Sequence, residues 1–297
     1  MTGPRFDTIS FLSDYGYGDE FVGVVHSVIR SIAPAVTVVD ITHAIEPFNV
    51  RAGGLALARA AHYLVPGVVV AVVDPGVGTA RRPVAIEVGD GQSYLVGPDN
   101  GLLAPAVALV GGATAAVVLD NTEFQLSSPG STFDGRDIFA PVAAHLCSGV
   151  PLSALGTRID PVQLLPGILP VSDADAEGAI RAEVLWVDRF GNAQLNVDPE
   201  QLEGWPPTVQ LLSAGQERIA SRVSSFADVA TGSVGLLIDS YGLLAIVVDR
   251  GSASTELGLA DGDQVSLSPV ADSPSRSEST VALIRKPAPR PDQEHRQ

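Results

Sequence analysis

The first 150 residues alternate between apolar runs and longer segments in which apolar residues recur at helical spacing. The runs FDTISFLSD, VTVVDI, VVVAVVD, PVAIEV, SYLVGP and AAVVL are rich in Val, Ile and Leu, which is typical of strands covered on both faces. Helical spacing follows at residues 21–32 and 50–64, and further helices are predicted after residue 100 and over about 137–147. The alternation predicts an α/β domain with a mainly parallel sheet.

From about residue 180 the pattern changes to short apolar runs separated by turn residues. The runs are IRAEVLWVD, NAQLNV, TVQLL, SVGLLI, LLAIVV, QVSLS and TVALIRK. Such spacing predicts a smaller all-β, barrel-like domain. We therefore divide the chain into an α/β domain (1–170), a polar linker (171–179), a β-barrel-like domain (180–286), in which ADSPSRSEST forms a long hairpin loop, and a disordered tail (287–297).

The charge balance argues against nucleic-acid and membrane binding. Among 297 residues there are 18 Lys and Arg and 34 Asp and Glu, a formal net charge of −16. Such a surface repels phosphate backbones and anionic lipid. No signal peptide is recognised at the start, and charged residues interrupt the longest apolar stretch, so we expect a cytoplasmic protein without a membrane span.

Cysteine and histidine usage predicts no metal site. A single cysteine, Cys147, excludes an intrachain disulfide and a thiolate-rich metal site, and we interpret it as a small buried hydrophobic residue. No two of the five histidines form an H-x-x-x-H or H-E-x-x-H pattern. His43 is the best placed of them, and a structural role is expected for it.

Aspartates occur at or near the ends of three predicted strands: Asp14, Asp40 and Asp74. In open α/β sheets, ligands bind beyond the carboxyl ends of the strands. A single such aspartate is equally well explained as a turn or helix-cap residue, but three on successive strands indicate a ligand site. Gly76 and Gly78 allow close backbone approach to a ligand, although their spacing is not that of a dinucleotide or phosphate loop.

A second polar cluster, STFDGRDIFAP, precedes the last predicted helix of the α/β domain. It contains Asp134, Arg136 and Asp137. These side chains either contribute to a site or cap the helix and pair with one another.

A third cluster, VDRFGNAQLN, lies in the β domain on a predicted tight turn. It contains Asp188, Phe190 and Asn192. An aromatic face with an amide and a carboxylate suits a heteroaromatic ligand that carries polar groups, whereas in isolation the same residues are typical of a hairpin turn.

Six motifs in order make a more specific pattern than any one of them. They are FLSDYGYGDEFVG, VVDITHAIEPFNV, VVDPGVGTARRPVA, YLVGPDNGLL, STFDGRDIFAPVAAHL and DRFGN. Together they resemble the S-adenosylmethionine (SAM) hydroxide adenosyltransferase family, the SAM hydrolases, over about residues 8–255. The fluorinating and chlorinating SAM enzymes are related to this family.

The resemblance implies an enzyme that converts water and SAM into adenosine and L-methionine, with SAM as substrate and no cofactor. It also implies an N-terminal α/β domain, a C-terminal β-barrel-like domain and a homotrimer. The active sites of such a trimer lie between the N-terminal domain of one subunit and the C-terminal domain of its neighbour.

The family's hydrolases carry an Asp–Arg–His set around the attacking water. By motif, its first two members match Asp74 and Arg81, while Arg82 is the neighbouring alternative. The third lies in a TFHGRD motif, which here reads TFDGRD, so Asp134 stands in the place of the histidine. Asp134 either accepts a hydrogen bond as an anion or shares a proton with Asp74, because two carboxylates in one site raise one pKa. We favour the anionic acceptor.

The resemblance also implies which of the remaining matched residues bind the substrate, and the following roles are expected from it. Asp14 is expected to hold the ribose hydroxyls, Asp19 to bind the methionine end, and Phe48 to pack on the ribose. A C-terminal set is expected to bind the adenine ring and the amino and carboxylate groups of the methionine; it comprises Asp188, Phe190, Asn192 and Ser240. Tyr241 stands where the fluorinating relative has an arginine beside this serine.

The chemistry favours hydrolysis over halogenation. Two negative charges 4 Å apart repel by roughly 4 kcal/mol at an effective dielectric near 20, so a halide beside Asp74 is disfavoured. The resemblance adds that halogenating relatives have an uncharged residue at this position, and that the fluorinating enzyme's insertion is missing after Pro83. A magnesium-dependent phosphohydrolase and a non-catalytic SAM- or adenosine-binding protein remain alternatives.

Overall fold

The computed structural model describes residues 5–176 and 178–270. Within these ranges each half of the chain builds one sheet. The predicted hairpin loop at 271–280, the strand TVALIRK and the tail at 287–297 lie outside the described residues.

The N-terminal half forms a sheet in which seven strands of the described residues lie in the order β2-β1-β3-β5-β4-β6-β7. The strands are β1 (Thr8–Ser13), β2 (Thr37–Thr42), β3 (Val68–Val72), β4 (Pro83–Val88), β5 (Ser93–Pro98), β6 (Ala113–Val118) and β7 (Thr157–Ile159). β2, β1, β3 and β5 pair in parallel, and β6 runs with them because two antiparallel pairings, through β4, separate it from β5. Only β4 and β7 run the other way among the described strands, which confirms the predicted mainly parallel sheet.

Helices cover both faces of this sheet. They are α1 (Phe21–Ile32), α2 (Val50–Ala61), α3 (Ala104–Leu109) and α4 (Ala140–Cys147). α1 and α4 pack on one face, where Cys147 is completely buried, and α2 and α3 pack on the other. Burial raises the pKa of the Cys147 thiol to about 12, in agreement with its interpretation as a buried hydrophobic residue. No helix in the described part of the chain has both the length and the apolar composition needed to cross a membrane.

The C-terminal half closes into a barrel, as predicted. Its strands are β8 (Asp173–Ala174), β9 (Ile180–Val187), β10 (Ala193–Leu195), β11 (Thr208–Ser213), β12 (Gln216–Arg222), β13 (Val234–Ile238), β14 (Leu244–Val248) and β15 (Gln264–Pro269), with a short helix, α5 (Ala253–Leu257). The ring runs β10-β14-β13-β12-β11-β15-β9 and closes through the β9–β10 pairing, while β8 pairs with the first residues of β9. β12 was not predicted from the sequence, because its residues are polar and mostly exposed.

The two halves meet where α2 packs against β9. Arg51 of α2 forms an ion pair with Glu183 of β9. The guanidinium carbon of Arg59 lies 4.1 Å from the ring centroid of Trp186, a cation–π contact. A groove of about 980 Å³, the interdomain groove, opens beside this contact and reaches Ser240 and Tyr241.

Candidate active site

A cavity of about 460 Å³ opens where β1 and β3 end. Five of the predicted site residues line it: Asp14, Asp19, Phe48, Asp74 and Asp134. We call it the aspartate cavity. Its position agrees with the rule that ligands bind beyond the carboxyl ends of parallel strands.

Asp74, Arg81 and Asp134 form one ion-pair cluster at the wall of this cavity. Arg81 holds Asp74 in a bidentate contact, in which Nε donates to Oδ1 at 3.1 Å and Nη2 donates to Oδ2. The same Nη2 donates to Oδ2 of Asp134 at 2.6 Å. All three side chains are largely buried, and Nη1 of Arg81 has no hydrogen-bond partner among the described residues. One guanidinium therefore fixes two carboxylates and keeps a donor free.

The glycine turn after Asp74 explains how these residues come together. Gly78 has a φ of +76°, and a Cβ there would lie 2.7 Å from the carbonyl oxygen of Ser131. A residue without a side chain thus lets the loop after β3 approach the loop that carries Asp134. Thr79 stabilises the turn by donating its hydroxyl to the Gly76 carbonyl at 2.7 Å. Gly78, one of the two glycines expected to allow close backbone approach, therefore allows a neighbouring loop to come close.

Opposing effects act on the pKa of Asp74. Burial raises the pKa of this carboxyl above its ordinary value, and the charge of Asp134 acts in the same direction. Arg81 lowers it through its charge and its hydrogen bonds, without cancelling the effect of burial. Asp74 is therefore a stronger base than an exposed aspartate.

Asp14 and Phe48 are coupled through the backbone. Phe48 has a φ of +68°, a strained conformation for a residue with a side chain, and its N–H donates to Oδ2 of Asp14 at 2.9 Å. The phenyl ring is 71% exposed. The Asp14 carboxylate thus holds in place an aromatic ring at the mouth of the cavity.

Tyr15 also lines the aspartate cavity, although we did not predict it from the sequence. Its ring packs against Phe21 and Phe133, with centroids 5.7 and 5.6 Å apart. A Cβ at Gly135 would lie 2.1 Å from the Tyr15 hydroxyl, so this hydroxyl needs a glycine opposite it. Burial and then the charges of Asp14, Asp74 and Asp134 raise the pKa of Tyr15, which keeps it a neutral hydroxyl.

The second arginine of the pair belongs to a different ion pair. Arg82 contacts the Asp99 carboxylate and donates to the carbonyl of Gln163 at 2.6 Å. Of the two arginines, Arg81 is the one that contacts Asp74 and Asp134. Arg136 and Asp137 contact each other, with Nε 2.7 Å from Oδ1, as in the pairing alternative considered for them.

Asp40, the third of the aspartates expected at or near strand ends, does not join Asp14 and Asp74 at the aspartate cavity. Asp40 lies within β2 rather than beyond its end, and its Oδ1 is 2.8 Å from Nε2 of His26 and 3.1 Å from Nε2 of His43. It does not line the aspartate cavity.

The C-terminal site residues lie apart from the aspartate cavity within one chain. Asp188 organises the predicted tight turn. Its carboxylate accepts hydrogen bonds from the backbone N–H groups of Phe190 and Asn192, at 2.8 and 2.9 Å, and from the side-chain amide of Asn192, at 2.8 Å. The Phe190 ring is 76% exposed, and Ser240 lies in the interdomain groove. A single chain therefore holds two separate groups of predicted site residues.

Both halves of the chain match models of one protein family. The family model described as "SAM hydroxide adenosyltransferase N-terminal domain" matches residues 9–156, and its C-terminal counterpart matches residues 182–266. A relative from Salinispora tropica named (R)-S-adenosyl-L-methionine hydrolase is 45% identical over 86% of this chain and 96% of its own length. A relative of the same name from Thermus thermophilus is 40% identical over 87% of this chain and 98% of its own length.

More distant relatives include a protein named fluorinase. It comes from Actinopolyspora mzabensis and is 28% identical over 86% of this chain and 95% of its own length. A solved structure, described as an uncharacterized conserved protein from Thermotoga maritima, superposes with a TM-score of 0.80 at 35% identity and covers 87% of this chain and 99% of that one.

Proposed function

The chain belongs to the SAM hydroxide adenosyltransferase family, and we propose that its aspartate cavity holds the water that attacks SAM. The protein is a SAM hydrolase, which converts SAM and water into adenosine and L-methionine. The contact of one arginine with two carboxylates, Asp74 and Asp134, is the observation that supports this assignment of the water site.

The reaction places its main demand on the nucleophile. C5′ of SAM bears a sulfonium, and its departure yields a neutral thioether, so the leaving group needs no proton. A water molecule must instead be held in line with the C–S bond and lose a proton as the C–O bond forms. A buried carboxylate beside a fixed guanidinium provides these two functions.

Asp74 is the base in this proposal. Its two oxygens are oriented by the Arg81 fork, and its raised pKa strengthens it as a proton acceptor. We assign the hydrogen bond to the attacking oxygen to Nη1 of Arg81, which is buried and has no partner among the described residues. Asp134, which accepts from Arg81, does the work of the family histidine as an anionic acceptor.

The charge of the cavity suits the movement of charge in the reaction. Four carboxylates and one arginine leave the site with excess negative charge: Asp14, Asp19, Asp74, Asp134 and Arg81. A cationic sulfonium is attracted to such a site, and positive charge then develops on the attacking water, next to Asp74. A halide entering the same position meets repulsion of roughly 4 kcal/mol per carboxylate 4 Å away at an effective dielectric near 20.

Substrate binding in this proposal uses the groups at the cavity mouth. Asp14 offers its second oxygen to the ribose hydroxyls, since Oδ2 is held by the Phe48 backbone, and the exposed Phe48 ring packs on the sugar. Asp19 binds the methionine end. The relatives are named for the (R) epimer, and we propose the same sulfonium configuration for this substrate.

We propose that the site is completed by a second copy of the chain in a homotrimer. Phe190 is exposed and does not line the aspartate cavity of its own chain, although it is assigned to the adenine. A neighbouring subunit that presents its DRFGN turn to this cavity brings the two groups of site residues together. Closed rings of identical subunits allow such heterologous contacts.

Mixed trimers test this arrangement. Asp74→Asn inactivates the N-terminal part of a site, and Phe190→Asp inactivates the C-terminal part, so each homotrimer is expected to be inactive. In equal mixtures assembled by co-refolding, about a quarter of the sites receive two intact parts if parts come from different subunits. Adenosine release near that fraction of wild-type activity is expected. Mixtures as inactive as their parents would contradict a shared site.

The activity itself is tested by incubating the purified protein with each epimer of SAM, with and without chloride and EDTA. Chromatography is expected to show adenosine and methionine in equal amounts from the (R) epimer, unaffected by either addition. Loss of SAM hydrolysis with EDTA would contradict a water site that works without a metal, and a chlorinated nucleoside would indicate a halogenase. Intact SAM with tight adenosine binding would indicate a non-catalytic protein.

The neighbouring arginines offer a matched pair of substitutions. Arg81→Lys keeps the charge but loses the planar fork, and charge-assisted hydrogen bonds are worth about 1.5–3 kcal/mol each, so we expect kcat to fall at least about tenfold. Arg82→Lys makes the same change in an ion pair outside the cavity, and its kcat is expected to stay near that of the wild type. Steady-state kinetics of both variants measure the difference; equal losses would contradict the assignment of Arg81.

The pH dependence of hydrolysis follows from the raised pKa of Asp74. Only the ionised carboxylate accepts a proton from water, so kcat/KM is expected to fall about tenfold per pH unit once the pH drops below the pKa of Asp74 in the free enzyme. Because burial raises this pKa, the decline begins at a higher pH than for an exposed aspartate. A pH–rate profile with a circular-dichroism control for folding measures it; a flat profile down to the pKa of an ordinary aspartate contradicts the assignment.

A further inference from the structure

A second cluster of ionisable side chains lies outside the aspartate cavity. It comprises His26 on α1, Asp40 on β2 and His43, which follows β2. One nitrogen of each histidine and a carboxylate oxygen of Asp40 all lie within 4.8 Å of one another. The sequence spacing did not reveal this cluster, because His26 and His43 are 17 positions apart and meet only through the packing of α1 beside β2.

His43 contributes a buried nitrogen that is left without a partner. The side chain is completely buried, and its Nδ1 lies 2.7 Å from the Ser13 hydroxyl. Its Nε2 lies 3.1 Å from Oδ1 of Asp40, but this approach does not meet hydrogen-bond geometry, and no other described residue pairs with it. A buried polar atom of this kind is costly unless something binds it.

The Ser13 contact orients the ring for metal binding. Histidines that bind metals usually donate their other ring N–H to an oxygen, which fixes the tautomer and leaves a lone pair on the ligating nitrogen. When Nδ1–H of His43 donates to Ser13 Oγ, the lone pair of Nε2 points toward the cluster. His26 places its Nε2 on the same carboxylate oxygen, at 2.8 Å.

We propose that His26, Asp40 and His43 bind a first-row divalent transition metal, with Zn²⁺ as the ion that fits best. Zn²⁺ binds imidazole nitrogen and carboxylate oxygen at about 2.0–2.2 Å, which places tetrahedral ligand atoms roughly 3.3 Å apart. The two histidine–carboxylate separations, 2.8 and 3.1 Å, would lengthen by about 0.2–0.5 Å to reach that spacing, and the two histidine nitrogens lie within 4.8 Å of each other. Two neutral imidazoles and one carboxylate form a ligand set that such metals prefer, whereas Mg²⁺ and Ca²⁺ prefer oxygen alone.

The surroundings of the cluster leave room for a further ligand. His26 and Asp40 are about one-third exposed, so the remaining coordination position faces water. His43 is held from behind by Phe11 and Tyr17, whose ring centroids lie 4.6 and 5.4 Å from its own. The metal would tie α1 to β2, and no step of SAM hydrolysis depends on it.

Cobalt binding tests this site directly on the full-length protein. After removal of metals with a chelator and dialysis, Co²⁺ titration of the wild type is expected to give visible absorption bands that saturate at one equivalent per chain and disappear when Zn²⁺ is added. A higher Tm in the presence of Zn²⁺ is expected from the same protein, because a ligand that binds only the folded state stabilises it.

The variants His26→Ala and Asp40→Asn remove ligands that are partly exposed, which avoids the folding risk at His43. Each is expected to weaken Co²⁺ binding at least about tenfold, since removal of even an outer-shell partner costs 10- to 100-fold in affinity. His62→Ala, a histidine outside the cluster, is the matched control and keeps wild-type binding. Absence of Co²⁺ bands in the wild type, or equal binding by His26→Ala, would overturn the proposal.

Discussion

Replacing Asp74 with asparagine is expected to reduce kcat by about 10²- to 10⁴-fold, the range that general bases contribute to catalysis. Asparagine has nearly the same shape and still accepts a hydrogen bond from Arg81, but it cannot take up the proton of the attacking water. KM is expected to change little, because Asp74 contacts the water rather than the substrate in our proposal. Adenosine release measured under saturating SAM gives kcat, and its dependence on SAM concentration gives KM.

A second aspartate provides the control for this substitution. Asp99 also forms a buried ion pair with an arginine, Arg82, but it lies outside the aspartate cavity. Asp99→Asn therefore reports the effect of neutralising a buried ion pair on folding and on Tm, with kcat expected near the wild-type value. If Asp74→Asn retained kcat within a few-fold of the wild type, water activation by Asp74 would be wrong.

The sequence predicted those parts of the fold in which local pattern and tertiary environment agree. The runs at β1, β3 and β5 are apolar because both faces of the central sheet are covered. Their burial could therefore be predicted from their amino-acid composition. β12 carries no such signal, since most of its side chains face solvent, and its backbone pairing with β11 and β13 decides its structure. The reversed direction of β4 likewise follows from long-range pairing, which no local pattern encodes.

Site residues that lie in one short motif could be placed together from the sequence, whereas contacts between distant parts of the chain could not. Asp74 and Arg81 share one glycine turn, so their contact follows from local sequence. Tyr15 was missed because its role depends on the space that Gly135 leaves at a distant position in the chain. The position of Asp40 beside His26 and His43 could not be predicted, because the three residues are separated in the sequence and meet only in the folded chain.

Replacing Asp134 with alanine is expected to lower kcat by roughly 10- to 100-fold, the equivalent of one charge-assisted hydrogen bond. Asp134 accepts from the same Nη2 of Arg81 that holds Asp74, so its loss frees the guanidinium to shift. Its charge also raises the pKa of Asp74, and the acid limb of the pH profile is therefore expected to move to lower pH in this variant. Steady-state kinetics across pH measure both effects.

Two further substitutions distinguish the ways in which Asp134 can act. Asp134→Asn resembles a protonated carboxyl, so wild-type kcat in that variant would favour a proton shared with Asp74 over the anionic acceptor that we propose. Asp134→His restores the TFHGRD motif, and if aspartate does the work of the family histidine, this variant is expected to keep kcat within a few-fold of the wild type. Loss of activity in Asp134→Asn together with retention in Asp134→His would mean that the site needs a strong hydrogen-bonding partner for Arg81 or the water, and that a histidine and an ionised aspartate both provide it.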